Sequence, residues 1–191
     1  MLAPPSTFRS APAAEVGDFR TIGARTLLEE AFLRVERATI STPAGETVKR
    51  VVIAHPGAVA TVPVLDGDVF LIEQHRAPIG EDLLEIPAGK LDIPGEDVLE
   101  AARRELSEEV GFAAGRLDHL TDLITTPGFC DEVITIFLAT ELVEVPSAPV
   151  GAEEEHSTIT RMPLADAVEM VHDGVIRDAK TIVGLLLADG R

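Results

Sequence analysis

The most informative stretch of the chain is EIPAGKLDIPGEDVLEAARRELSEEVGF, residues 85–112. Its second half carries the one long helical pattern, Glu96 to Val110, stopped at Gly111, a residue type suited to a helix C-terminal cap. Leu99, Ala102, Leu106 and Val110 fall on one apolar stripe, and Glu105, Glu108 and Glu109 share the neighbouring face at i, i+3 and i+4. Glu100, Arg103 and Ser107 point away from both. Carboxylates crowded on one turn repel each other, and water, an Arg partner or a metal relieves the repulsion. Hard divalent cations take oxygen ligands, keep several waters and share substrate phosphates. Arg104 is placed to pair with one carboxylate and leave the others for metal. Upstream, Pro87-Ala88-Gly89 and Pro94-Gly95 predict a tight loop that brings the Ala88 carbonyl near the helix. Three Glu alone would be a solvated acidic face; the surrounding pattern is what makes them informative.

Outward from this block the chain is mostly strands. FLRVERATIST and ETVKRVVIAH flank turn material at Pro43-Ala44-Gly45, and AVATVPVL (58–65) and DVFLIEQHR (68–76) flank Asp66-Gly67, a strong hairpin signal. After the helix come LDHLTDLIT (117–125) and EVITIFLATEL (132–142), a Pro- and Glu-rich loop (145–155), the strand STITRMPL, and two helices, LADAVEMVHDG and AKTIVGLLLADG, each ending in Gly. Strands, helix, strands, helices predict an α+β fold rather than strict βαβ alternation. Residues 1–20 read as a loose arm rich in Pro, Ala and Ser.

Composition narrows the function. The 191 residues carry 16 Lys+Arg against 33 Asp+Glu, a net charge of −17, which excludes a general binder of nucleic acid or of membrane surfaces. An acidic chain that takes a phosphorylated ligand needs divalent cations between them. A hydrophobic fraction of 46% supports a full core, and a single Cys excludes an internal disulfide framework and fits a reducing compartment. No apolar stretch approaches the ~18–20 residues of a membrane span. No basic segment precedes an apolar one at the N-terminus, so the expected location is cytoplasmic. Trp and Tyr are absent. No Walker A loop or GxGxxG is present, so NTPase and Rossmann readings lack support.

Gly89, Glu96, Arg104, Glu105, Leu106, Glu108, Glu109, Gly111 and Phe112 resemble the signature of the Nudix hydrolases. The six fixed residues from Glu96 to Gly111 coincide by chance in about one window in 10^6 to 10^8 at ordinary residue usage. The family usually has five residues between the Gly and the first Glu; here there are six, Lys90 to Gly95, inserted in the loop so that the helix register is kept. HPGAVA (55–60), EQHRAPIG (73–80), EIPAGK (85–90), TPGFCDE (126–132) and GVIRDAKT (174–181) are similar, in order and spacing, to the ADP-ribose pyrophosphatase branch. The resemblance implies a Nudix fold, a mixed β-sheet between helices, over residues 53–191. It also implies a small N-terminal antiparallel strand subdomain, residues 21–52, that helps to form a homodimer. The implied reaction is hydrolysis of the ADP-ribose diphosphate to AMP and ribose 5-phosphate with more than one Mg2+ or Mn2+. The partner is then a small nucleoside diphosphate derivative. Another ADP-sugar, a GDP-sugar or a flavin dinucleotide is the alternative substrate, and a non-catalytic nucleotide sensor the alternative function.

By the same resemblance Glu105 and Glu109 match the main metal-binding carboxylates, joined by the Ala88 carbonyl. Glu108 matches an auxiliary ligand or a partner of Arg104, and Glu96 a supporting carboxylate. The general base falls in the acidic loop Glu153-Glu154-Glu155, with Glu155 the best match and Glu154 second; a mobile loop suits a base that closes over substrate. Arg76 matches a contact to the diphosphate or ribose, or is an edge-strand Arg paired with a surface acid. Glu85 hydrogen-bonds substrate or orders the site. Gly128, Phe129 and Glu132 match a loop facing the cleft, with Phe129 alternatively core. Cys130 has no partner pattern for a nucleophile, and His156 beside Glu155 reads as exposed.

Overall fold

A computed structural model describes residues 18–146 and 156–191. They form two compact units. One comprises residues 18–57, 92–94 and 124–132; the other comprises 58–91, 95–123 and the described part of 133–191.

The first unit is built on an antiparallel sheet in the order β1 (Arg20–Glu30), β2 (Leu33–Ser41), β3 (Thr47–Ala54). The β2–β3 turn contains the expected Pro43-Ala44-Gly45, with Gly45 at φ 82°. The strand before Phe32 was not legible in the sequence. Its hairpin to β2 turns on Ala31 and Phe32, and Ala31 takes the left-handed region at φ 50° without the Gly, Asn or Asp that normally announces it. The loop 124–132 joins this unit through backbone bonds: the Ile53 N–H donates to the Phe129 carbonyl at 2.7 Å and the Asp131 N–H to the Ile53 carbonyl at 3.2 Å.

The second unit is a mixed sheet covered by helices on both faces, as the α+β reading expects. Its strand order is β10 (Thr158–Pro163), β5 (Asp68–Arg76), β4 (Ala58–Leu65), β9 (Val133–Glu144), β8 (Phe112–Ile124). Strand β6 (Glu81–Glu85) pairs with β5 and β7 (Ala88–Lys90) with β4. Strands β4 and β9 run parallel; β4–β5, β5–β10, β5–β6 and β4–β7 are antiparallel. The Asp66-Gly67 turn closes β4 on β5 with both residues at positive φ, 54° and 87°, as a two-residue hairpin requires.

Alternation along β4 and β5 distributes the core. Ala58, Ala60, Val62, Val69 and Leu71 pack with Ala167, Val168, Ile176, Leu185 and Ala188 of the C-terminal segment, which includes helices α2 (Leu164–His172) and α3 (Ala179–Asp189). Val59 packs with Ala101 and Ala102, and Phe70 and Ile72 with Leu106 and Val110, all from helix α1 (Val98–Val110) on the other face. Gly184 lets α3 lie close on the sheet, since a Cβ there would stand 2.9 Å from Val62 and 3.0 Å from Ile86. Among the described residues no helix is long and apolar enough to cross a membrane.

Helix α1 begins two residues later than the sequence reading placed it. Asp97 is the N-cap, its carboxylate accepting the Leu99 N–H at 2.9 Å, so Glu96 stays outside the helix. Gly111 caps the other end at φ 71°. Leu99 shares the azimuth of the apolar stripe yet is 45% exposed, and Ala101 is buried instead. Periodicity specifies the face of a helix; how far along its axis the opposing layer reaches is a tertiary property.

Candidate active site

The acidic face of α1 lies against β7. Glu105 and Glu109, one turn apart, are only 8% and 7% exposed. The Glu109 Oε2 accepts the Ala88 N–H at 2.8 Å, while the Pro87 carbonyl accepts the Thr61 N–H at 3.0 Å and fixes the peptide chain on β4. Gly89 explains its own place in the motif. A Cβ on it would lie 1.8 Å from the Glu105 Cδ and 1.9 Å from Oε1, so only glycine leaves room for that carboxylate. With the extra loop residue before the helix, Ala88 and Gly89 still lie beside the two buried carboxylates.

Arg104 does more than the single pairing expected of it. Its Nε and Nη2 donate to the two Glu96 oxygens at 2.8 and 3.0 Å, and its Nη1 to Glu105 at 2.7 Å and Glu108 at 3.0 Å. The planar guanidinium spreads one positive charge over three carboxylates. The hydrogen bonds to Glu96 first, then those to Glu105 and Glu108, outweigh desolvation and hold its pKa above the ordinary value. Glu96 is held below the usual carboxylate range by the same bond. Glu108 and Glu96 are thus Arg104 partners here.

A second polar group stands at the β5–β6 edge. Arg76 donates Nε to Glu85 Oε1 at 2.6 Å and Nη2 to Oε2 at 2.5 Å. The bond to Glu85 is the largest cause of a raised Arg76 pKa, and the charge of Glu109 adds to it, so the two groups are electrostatic neighbours. Glu85 is not a surface acid: it is 1% exposed and also accepts a bond from Lys180, itself 6% exposed. Both Glu85 oxygens are engaged, which suits a carboxylate that orders its surroundings. Lys180, Asp178 and Thr181 lie in the segment 174–181 that carries part of the resemblance, but the sequence reading assigns none of them a role. The available signal was a lone basic residue in the otherwise apolar helix AKTIVGLLLAD.

Gly128, Phe129 and Glu132 belong to the first unit. There Phe129 is 54% exposed, so it is not core. Glu132 lies 3.5 Å from the His55 Nε2 and accepts the Thr125 hydroxyl at 2.7 Å. The His55 Nδ1 accepts the Gly57 N–H at 3.1 Å, leaving Nε2 as the donor toward Glu132. The His55 N–H donates to Asp131 at 2.8 Å, and Phe32 meets the imidazole edge-on at 5.3 Å. Glu153, Glu154 and Glu155 lie outside the described residues.

The acidic face fits a hard divalent cation in chemistry. Its donors are all oxygens, its two buried carboxylates are one turn apart, and the bare Gly89 Cα accommodates one of them. Among the described residues no group of three or more His, Cys, Asp or Glu is placed to hold a metal by itself. Water and substrate phosphate would complete the shell, as is usual for Mg2+.

Residues 54–183 match the NUDIX domain family. An ADP-ribose pyrophosphatase of Mycobacterium tuberculosis is 41% identical over 170 residues, covering 88% of this chain and 82% of that protein. An ADP-ribose pyrophosphatase of Bacillus subtilis is 39% identical over 143 residues, covering 74% of this chain and 77% of that one. Among solved structures, an ADP compounds hydrolase superposes with a TM-score of 0.76 at 28% identity, over 93% of this chain and 96% of that chain.

Proposed function

We propose that this chain, which belongs to the NUDIX family, hydrolyses the diphosphate of ADP-ribose to AMP and ribose 5-phosphate. The observation that carries the reading is the burial of Glu105 and Glu109 one turn apart, against the Gly89 Cα and the Ala88 N–H. Relatives named ADP-ribose pyrophosphatase, similar over most of the chain, support this choice of substrate.

Glu105, Glu109 and the Ala88 carbonyl would hold Mg2+ or Mn2+, more than one per site. Such ions, when bound, neutralise diphosphate charge and acidify water. Arg104 keeps the acidic face compact by spreading its charge over Glu96, Glu105 and Glu108. Arg76 binds a diphosphate oxygen, and Glu85 keeps its guanidinium in place. Glu155, with Glu154 as the alternative, accepts the proton of the attacking water. The protein works in the cytoplasm as a homodimer through residues 21–52; exposed Ile22 and Leu28 on β1 support that interface.

The test is a substrate panel of ADP-ribose, other ADP-sugars, GDP-sugars and flavin dinucleotide with Mg2+, read by product analysis. ADP-ribose should give AMP and ribose 5-phosphate in equal amounts at the highest kcat/KM. Glu109→Gln should lower kcat by about 10^3-fold while the melting temperature holds. Glu155→Gln should lower kcat far more than Glu154→Gln. Binding of ADP-ribose without turnover at any divalent metal would defeat the reading.

A further inference from the structure

Lys180 is the least expected residue of the larger unit. It is one of three lysines in the chain and it is buried, at the first turn of α3, between two carboxylates. Its Nζ donates to Glu85 Oε2 and, at 3.1 Å, to Asp178 Oδ2. Asp178 is the N-cap of α3 and accepts the Thr181 N–H at 2.9 Å and the Thr181 hydroxyl at 2.6 Å. The Thr181 oxygen in turn accepts the Ile86 N–H at 2.9 Å, next to Glu85. Burial alone would push the Asp178 carboxyl up; Lys180 and Thr181 outweigh it and hold it below the usual range.

A continuous line of bonded groups therefore runs from the start of α3 through Lys180 and Glu85 to Arg76. Its inner members are buried and its outer member, Arg76, has a 40% exposed side chain. Taking these charges out of water is costly, and apolar residues often serve stability as well or better. Position is the other thing such a line supplies. The last torsion of a Glu is soft and broad. Glu85 bonded to Arg76 alone could swing with it as a pair. Lys180 fixes Oε2 from the opposite side, so the plane of the carboxylate is set, and with it the plane of the guanidinium. Glu85 uses two of the five Arg76 N–H donors. The charge of Glu109 also acts on the Arg76 guanidinium.

We infer that Lys180 is a positioning residue: it locks Glu85, and through Glu85 it holds Arg76 oriented for the diphosphate of the substrate. The inference rests on the diphosphatase reading above. Without the lock Arg76 keeps its charge and loses its aim, so binding of the diphosphate weakens while the buried carboxylates of α1, Glu105 and Glu109, are untouched.

Steady-state ADP-ribose hydrolysis with Mg2+ tests this on the full chain with Lys180→Met, Arg76→Met and the two combined. Lys180→Met should raise KM about tenfold and leave kcat within about threefold, the pattern of lost uniform binding. The double variant should match Arg76→Met alone, because Lys180 acts only through Arg76. A Lys180→Met KM within about twofold of wild type overturns the inference, and so does a double variant whose KM rise is the product of the two single rises. Lys180→Met leaves Glu85 buried without its second cation and can compromise folding. The Glu85→Gln/Lys180→Met pair removes both charges: folded with a raised KM it supports the lock, and folded with a wild-type KM it overturns it. A wild-type chain that leaves ADP-ribose intact sinks the diphosphatase reading instead, and an Arg76→Met KM equal to wild type sinks the assignment of Arg76.

Discussion

Gly89→Ala is the sharpest single perturbation of the proposed metal site. The added methyl would stand 1.8 Å from the Glu105 Cδ, 1.9 Å from Oε1 and 2.3 Å from Oε2. Ordinary contact begins near 3.4 Å, so the carboxylate must retreat by about 1.6 Å. The clash is with the far end of a side chain, not with backbone, and Gly89 has no positive φ, so the strand accommodates alanine by expelling the carboxylate. Metal ligands must stand within about 0.2 Å of their proper distance, and a displacement of ~1 Å near the chemistry can cost ~10^2-fold in rate. We therefore expect kcat for ADP-ribose to fall about 10^2-fold, or ~2.7 kcal/mol in barrier. The melting temperature should move by only a few degrees. Gly190→Ala is the control, since nothing lies nearer than 4.0 Å to its Cβ and its φ of −81° is ordinary; it should behave as wild type. AMP release under saturating substrate and Mg2+, beside thermal melts of all three proteins, decides the matter. A Gly89→Ala enzyme within threefold of wild-type kcat would show that the Glu105 carboxylate is not needed where the structure puts it.

Acid should destabilise the fold through Glu96 and Asp178. Both carboxyls are held below their ordinary values, so their contribution is fully present above an unfolded value of about 4 and is lost as pH falls through the folded values. Thermal melts from about pH 6 to pH 3 should show a falling midpoint, less steep in Glu96→Gln; parallel slopes would refute the Glu96 part. Gly111→Ala places a Cβ at φ 71° and should cost about 1 kcal/mol of stability in denaturant titration while KM is unchanged. Gly184→Ala should cost about 1–3 kcal/mol in the same titration, because its methyl meets Val62 and Ile86 at 2.9 and 3.0 Å; an unchanged midpoint would mean that α3 shifts freely on the sheet.

Local chemistry was legible wherever one residue type does one job. Asp66-Gly67 announced its hairpin because two successive positive φ values exclude most other residues. Gly111 announced the end of α1 because its single positive φ suits glycine, and the spacing of Glu105, Glu108 and Glu109 puts three carboxylates on one face of any helix. The Ala31-Phe32 hairpin was silent, because its left-handed residue is an alanine held there by the pairing of β1 with β2.

The amino-acid sequence by itself determined the α+β order, the helix that carries the acidic face and the family to which that pattern belongs. These rest on short-range periodicity and spacing, which are properties of consecutive residues. Tertiary structure alone decided that Arg104 serves three carboxylates and that Gly89 is bare to admit Glu105. It alone joined Glu85 to Lys180, residues 95 positions apart, in one buried line ending at Arg76. Burial and ion pairing across such separations depend on which strands and helices become neighbours, and no local pattern in the chain encodes that.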